Sequence, residues 1–359
     1  TINFGYLSKR EKKMKKILIS GVAALGLLGI SNTAVNAFDL AKHYKDQTVE
    51  ILVGYGAGGT YGRTSLLLGR HLGRVIPGNP NLVVKHMPGA GGLKATNFFY
   101  NVAPKRGMHL LMPPEMTIVS ALLRPKKVKF KTKEFTWLGR VFGQNTTVVV
   151  RRDTGVTTLA GLKKKQVIMA SSGKGSPTFL VPTMLNALFG TKLKVVAGYK
   201  GSRKMQHTME INEAGGVALG WTAWISGKPS WFKGGDKSFA VPLVQSGFKP
   251  QKGIEHVPMI RSLLKNKEDK DVAAMLASAA ILGRGLVLPP GINKALVKPL
   301  RAAFWTINQD KVFIADALKR GLQSNPIRGA EIQKIVNDLM STPTATVKRA
   351  RALIFPKKK

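Results

Sequence analysis

The chain has 359 residues, 44% of them hydrophobic, with 38 Gly, 19 Pro and no Cys. That length and apolar content suit one large domain or two lobes and exclude a disordered polymer, while the missing Cys excludes disulfides, thiolate metal sites and Cys nucleophiles. Lys and Arg outnumber Asp and Glu by 57 to 18, a formal net charge of +39, which attracts nucleic acid, anionic membrane or acidic small molecules.

The basic residues are scattered, with local runs at Arg124–Lys133, Lys163–Lys165 and Lys357–Lys359. No basic heptad, zinc-finger spacing or RNA-binding aromatic motif accompanies them, so nucleic acid is not an expected partner.

In chain order, the first segment reads as a targeting signal. Lys15 and Lys16 precede an apolar run from Ile17 to Ile30, and Ala34-Val35-Asn36-Ala37 follows with small residues at the cleavage positions. A basic start, a short apolar run and an A-x-A-like site make a secretory signal peptide. The run of about 14 residues is shorter than the roughly 20 that span a bilayer. Met14 is the expected start, residues 1–13 are upstream sequence, and cleavage is expected after Ala37. The expected location is the periplasm of a Gram-negative bacterium.

Val49–Val53 then reads as a buried strand, followed by the glycine turn Gly54–Tyr61 and a helical pattern over Arg63–Val75. Leu82–Lys85 predicts a second strand, Pro88–Gly92 a second glycine turn, Lys94–Asn101 a helix and His109–Met112 a third strand. The order restarts near residue 148. Thr147–Val150 predicts a strand, Leu159–Lys164 a short helix, and Val167–Ala170 a strand before the turn Ser171–Pro177. Phe179–Phe189 is helical, Lys194–Ala197 is a strand running into Gly198–Ser202, and Val241–Gln245 is another strand. The remainder is mostly helical: Val272–Leu282, Ile292–Gln309, Lys311–Arg320, Ala330–Met340 and Val347–Ile354. Alternating strands and helices predict an α/β fold with mostly parallel sheets. The repeat predicts two lobes, 38–148 with 246–359 and then 149–245, joined by crossing strands.

Each glycine turn sits between a strand's carboxyl end and a helix start, where ligands bind in open α/β sheets. Backbone N–H groups and the helix dipole favour an anion there. Gly54–Gly59 fits G-x-G-x-x-G, but Lys85 and His86 stand where a dinucleotide site needs an acid on the second strand. Ser171–Lys174 fits S-x-x-K without the companion motifs of serine acylases. The six His share no metal-ligand spacing, and no cofactor is expected. Tyr55, Tyr61, Tyr199, Trp221 and Trp224 lie at or near the turns and offer aromatic walls for a small-molecule cleft.

The segments VEILVGYGAGGTYGR, LVVKHMPGAGGLKATNFFYNVAPKRG, ASSGKGSPTFL, VVAGYKGS and LVLPPGINKALVKPLRAAF, in this order, resemble the solute receptors of tripartite tricarboxylate transporters. The resemblance implies a two-lobed, type II-like periplasmic binding protein without catalytic residues, acting as a monomer. It would close on a small organic carboxylate and deliver it to one large and one small membrane subunit. Carried over, Tyr55, Ala57, Gly58, Gly59, Thr60 and Tyr61 would hold the ligand with Ser171, Ser172, Gly173, Gly175 and Ser176. Tyr199, Gly201, Ser202 and Trp221 would close the other side. Gly62 stands where the family has Asp, Pro104–Gly107 lacks the usual Asp, and no acid precedes Trp221. Losing acids near the ligand favours a more anionic one. The rival readings are a basic envelope protein binding polyanions and a sensory receptor of the same fold.

Overall fold

The computed structural model describes residues 38–356. The targeting segment, with its expected start at Met14 and cleavage after Ala37, lies outside the described residues, as does the Lys357–Lys359 run.

The chain opens with α1 (Leu40–Tyr44), β1 (Thr48–Val53), α2 (Thr60–His71), β2 (Asn81–His86), α3 (Leu93–Asn101), β3 (His109–Met112) and α4 (Thr117–Leu123). β4 (Thr136–Phe142) and β5 (Thr146–Arg151) then carry the chain across. The second lobe continues with α5 (Leu159–Lys164), β6 (Val167–Ser171), α6 (Pro177–Phe189), β7 (Leu193–Ala197), α7 (Ser202–Glu210), β8 (Gly216–Gly220), α8 (Trp221–Gly227) and β9 (Ala240–Ser246). The rest runs through α9 (Lys267–Ala277), α10 (Ala279–Leu282), β10 (Arg284–Leu288), α11 (Lys294–Gln309), α12 (Lys311–Lys319), β11 (Ile327–Arg328), α13 (Gly329–Met340) and α14 (Thr344–Ile354).

The sheets are ordered β11-β4-β10-β3-β1-β2 and β7-β6-β8-β5-β9. Alternation along each strand explains their two covered faces. Ile51 and Val53 join Leu67, Leu300 and Phe304 beneath α2 and α11, while Leu52 faces Phe99 and Val336 on the other side. In the second sheet Val148 and Val150 join Leu180 and Met184 of α6, and Val149 meets Trp224.

Two expectations change. The sheets are mixed rather than mostly parallel: β1 pairs parallel with β2 and β3, but β10 runs antiparallel to β3 and β4. Likewise β6 is parallel to β7 and β8, whereas β5 is antiparallel to β8 and β9. The reversed strands are the ones that follow a change of sheet: β5 comes directly after β4 of the other sheet, and β10 is the first strand after β9. The lobe boundaries also shift. The 246–359 segment was expected in the first lobe, yet Val272 and Leu276 of α9 and Val347 and Ile354 of α14 pack in the second lobe's core. Their apolar stripes match the face of α6, a match that periodicity does not reveal.

Candidate functional site: a cleft where the glycine turns meet

The turns after β1 and β2 face those after β6 and β7, and they touch. Gly56 N–H donates to Lys200 C=O at 2.7 Å, and Gly91 N–H to Ser172 C=O at 3.2 Å. Thr60 N–H donates to Ser202 Oγ at 3.2 Å. A Cβ on Gly175 would lie 2.8 Å from the Ala90 oxygen and 3.0 Å from Leu93 Cδ1, so only glycine lets these lobes approach so closely.

Between the turns lies a small cavity of about 30 Å³. Tyr55, Gly59, Thr60, Tyr61, Ser172, Ser176, Gly201 and Ser202, all expected at the site, line it. The helices α2, α6 and α7 begin at lining residues, with no acid in their first turns and no side-chain cap. Their dipole ends, with no acid beside them, make the cavity attractive to an anion. Thr60 Oγ1 is buried and has no hydrogen-bond partner, so it carries an unmet bond that a ligand can fill.

The remaining expected residues sit elsewhere. Ala57 and Gly58 are exposed on the turn's outer side. Ser171 is buried beneath the cavity, its hydroxyl 3.0 Å from Thr178 Oγ1 and accepting from Gly173 N–H at 3.1 Å. Gly173 and Gly175 pack on Ala90 and Gly91 or Leu93 at the seam. Tyr199 turns its hydroxyl to Glu213. That bond, with some burial, pushes its phenol up to about 12. Trp221 is buried against Phe232, ring centres 5.0 Å apart, in the second lobe's core. Lys174 of the S-x-x-K sequence is exposed.

Sequence reasoning missed the most charged pair in the cleft. Glu115, just past β3, and Arg284, at the start of β10, line the cavity and form an ion pair with side chains 6% and 4% exposed. Arg284 stacks 3.8 Å above the Tyr61 ring, a cation–π contact strengthened by desolvation. Glu115 N–H donates to the Tyr61 hydroxyl at 2.7 Å. Burial works to lower the Arg284 pKa, but Glu115 and Tyr61 outweigh it, and the guanidinium titrates above its ordinary value. Burial raises Tyr55 and Tyr61 well above the ordinary phenol value; Tyr55 O–H donates to Gly91 C=O at 2.9 Å. The cleft is therefore not cleared of acids, as the loss of Asp at Gly62 suggested. A Cβ at Gly62 would meet the Ala57 oxygen at 2.0 Å, so the first turn folds too tightly for any side chain there. The acid enters from Glu115 instead.

Pro177, Met205, Leu219 and Ala223 supply an apolar wall, and Thr178 joins the hydroxyls. Ser172 N–H donates to Thr178 Oγ1 at 3.0 Å, and the Ser176 hydroxyl lies 2.6 Å from the same atom. These hydroxyls are engaged with one another and form a polar floor. Among the described residues no group of His, Asp and Glu is placed to hold a metal, and no helix is long and apolar enough to cross a membrane.

No protein-family model and no curated protein matches the chain. Solved structures do. The periplasmic binding protein BugD is 17% identical, with 86% of this chain and 98% of that one covered and a TM-score of 0.68. A protein of R. palustris solved with adipate is 17% identical, covering 85% and 97% with a TM-score of 0.65. MatC from Rhodopseudomonas palustris, with bound malate, is 16% identical, covering 86% and 99% with a TM-score of 0.64. These likenesses extend over nearly the whole of each neighbour. The chain has the two-lobed α/β fold of periplasmic binding proteins.

Proposed function

We propose that the protein is a periplasmic receptor, without catalytic chemistry, that holds a small organic carboxylate in the cleft between its lobes. The observation that carries this reading is the meeting of three acid-free helix starts at a cavity holding the unpartnered Thr60 hydroxyl. One ligand carboxylate lies at the helix starts and accepts from Thr60 and backbone N–H groups. Its body lies against Met205, Leu219, Ala223 and Pro177. The cleft's own cation, Arg284, is already matched by Glu115, so a second and third ligand charge finds no free partner and meets Glu115. The reading therefore favours a monocarboxylate with an apolar chain over a tricarboxylate. Adipate and malate, carried by two proteins of this fold, support a carboxylate as the class.

Thermal shift of the protein with mono-, di- and tricarboxylates tests this. A straight-chain monocarboxylate should raise the melting temperature most, and Thr60→Val should weaken that ligand about tenfold, near 1.4 kcal/mol. Equal shifts from all three acids, or none from any, would sink the reading. Delivery to a membrane complex of one large and one small subunit belongs to the same proposal. Its test is uptake into vesicles carrying those two subunits, which should require this protein.

A further inference from the structure

A second group of polar side chains gathers on the outer side of the same seam, and the carboxylate reading makes no use of it. A groove of about 440 Å³ is lined by Arg63 of α2, by Arg203, Lys204, His207 and Glu210 of α7, and by Lys228 after α8. Arg63 comes from the first lobe and the others from the second. Its guanidinium donates to Ser226 Oγ at 2.6 Å and Ser226 C=O at 3.1 Å, both neutral acceptors. Its Nε is buried without a partner, and among the described residues no carboxylate forms a salt bridge with it. Burial, then the charge of Arg203, hold its pKa below the ordinary value.

Arg203 lies across the first glycine turn because Gly58 has no side chain: a Cβ there would come within 2.8 Å of the Arg203 Cδ. The groove's only acid, Glu210, is already engaged by Lys228 and His207. Lobe contact therefore brings uncompensated guanidinium charge from both lobes together, a repulsion that an anion lodged between them would reverse. Two guanidinium forks and a lysine suit an oxyanion with several oxygens.

We propose that this groove is a second binding site, for a small soluble oxyanion of the phosphate class, whose occupancy favours the closed arrangement of the lobes. It is distinct from the carboxylate cleft, although Ser202 lines both.

Calorimetry of the full chain with inorganic phosphate tests it, alongside two variants that each remove two exposed cations. Arg203→Gln with Lys204→Gln empties the groove; Lys163→Gln with Lys165→Gln removes the same charge from a remote surface. Phosphate should bind the native protein saturably at one site, the groove variant about tenfold or more weakly, and the remote variant as the native protein does. Non-saturable binding, or equal loss in both variants, would reduce the effect to net charge and overturn the proposal. Retention on phosphatidylglycerol vesicles without phosphate binding would assign the groove to a membrane surface and overturn it as well.

Discussion

Arg284 and Glu115 set the character of the cleft. Each is nearly inaccessible, and a charge in that position is tolerated only with its partner beside it. Glu115→Gln leaves the guanidinium buried against Tyr61 with no counter-charge. Its expected cost is about 3–5 kcal/mol, read as a lowered denaturant midpoint with unchanged slope. Arg284→Met combined with Glu115→Gln should recover most of that loss, because two apolar or neutral groups do not need each other. A double variant as unstable as the single one would contradict the ion-pair account. Neither residue was legible in the sequence as part of a site. Glu115 follows Pro113-Pro114 and Arg284 lies in Gly283-Arg284-Gly285, separated by well over a hundred positions and without a shared motif. The usable signal was weaker: a lone charge at the mouth of an apolar strand run, in a chain whose ligand-facing turns carry no acid.

The glycine turns act as elements as well as residues. They were legible because strand, turn and helix follow one another at regular spacing, and Tyr55, Thr60, Ser172, Ser176 and Ser202 do line the cleft. What spacing could not show is that several of these glycines serve lobe-to-lobe contact rather than a ligand. Gly175→Ala tests that role without forcing a positive φ, since its Cβ would strike the Ala90 oxygen and Leu93 across the seam. It should increase the radius of gyration in small-angle scattering and weaken carboxylate binding about tenfold, while leaving the melting temperature of each lobe nearly unchanged. A native radius with native affinity would rule it out. The strands β4 and β10 escaped sequence reading for a related reason. Buried on both faces, and with Gly139 and Gly285 set in their runs, they show no alternation.

A pH effect belongs to α12, which is tied to α2. The carboxyl of Asp316 is held below its ordinary value of 3.8, first by the hydrogen bond from His71 and then by Arg320. Asp310 is lowered as well, chiefly by the Phe313 N–H that it accepts as the cap of α12. A carboxyl depressed in the folded state contributes stability that is complete above its unfolded pKa and disappears as pH falls through the folded one. The melting temperature should therefore decline below about pH 4, and Asp316→Asn should flatten that decline. An unchanged acid profile in the variant would remove this tie from the account.

At the scale of the molecule, the fold class was readable and the sheet direction was not. Repetition of the strand–turn–helix unit announced two lobes, but the crossing strands that reverse each sheet depend on contacts between distant segments. The same limit explains why α14 belongs with the second lobe's core, although it follows the return to the first sheet at β10, and why α9 joins it there. The strongly positive charge remains a property of the surface, since the cleft's own charges cancel. Screening separates the two: exposed charges lose most of their reach at a Debye length of about 8 Å in physiological salt, whereas a ligand enclosed between the lobes does not.

The central claim is that a carboxylate is enclosed between the lobes, and calorimetry of the full chain with a straight-chain monocarboxylate at low and high salt tests it most directly. The account predicts one site per chain, with an affinity that changes little as salt is raised and falls in Thr60→Val. Heat released only by polyanions, and abolished by salt, would contradict it and show the glycine turns to be connectors between lobes and nothing more.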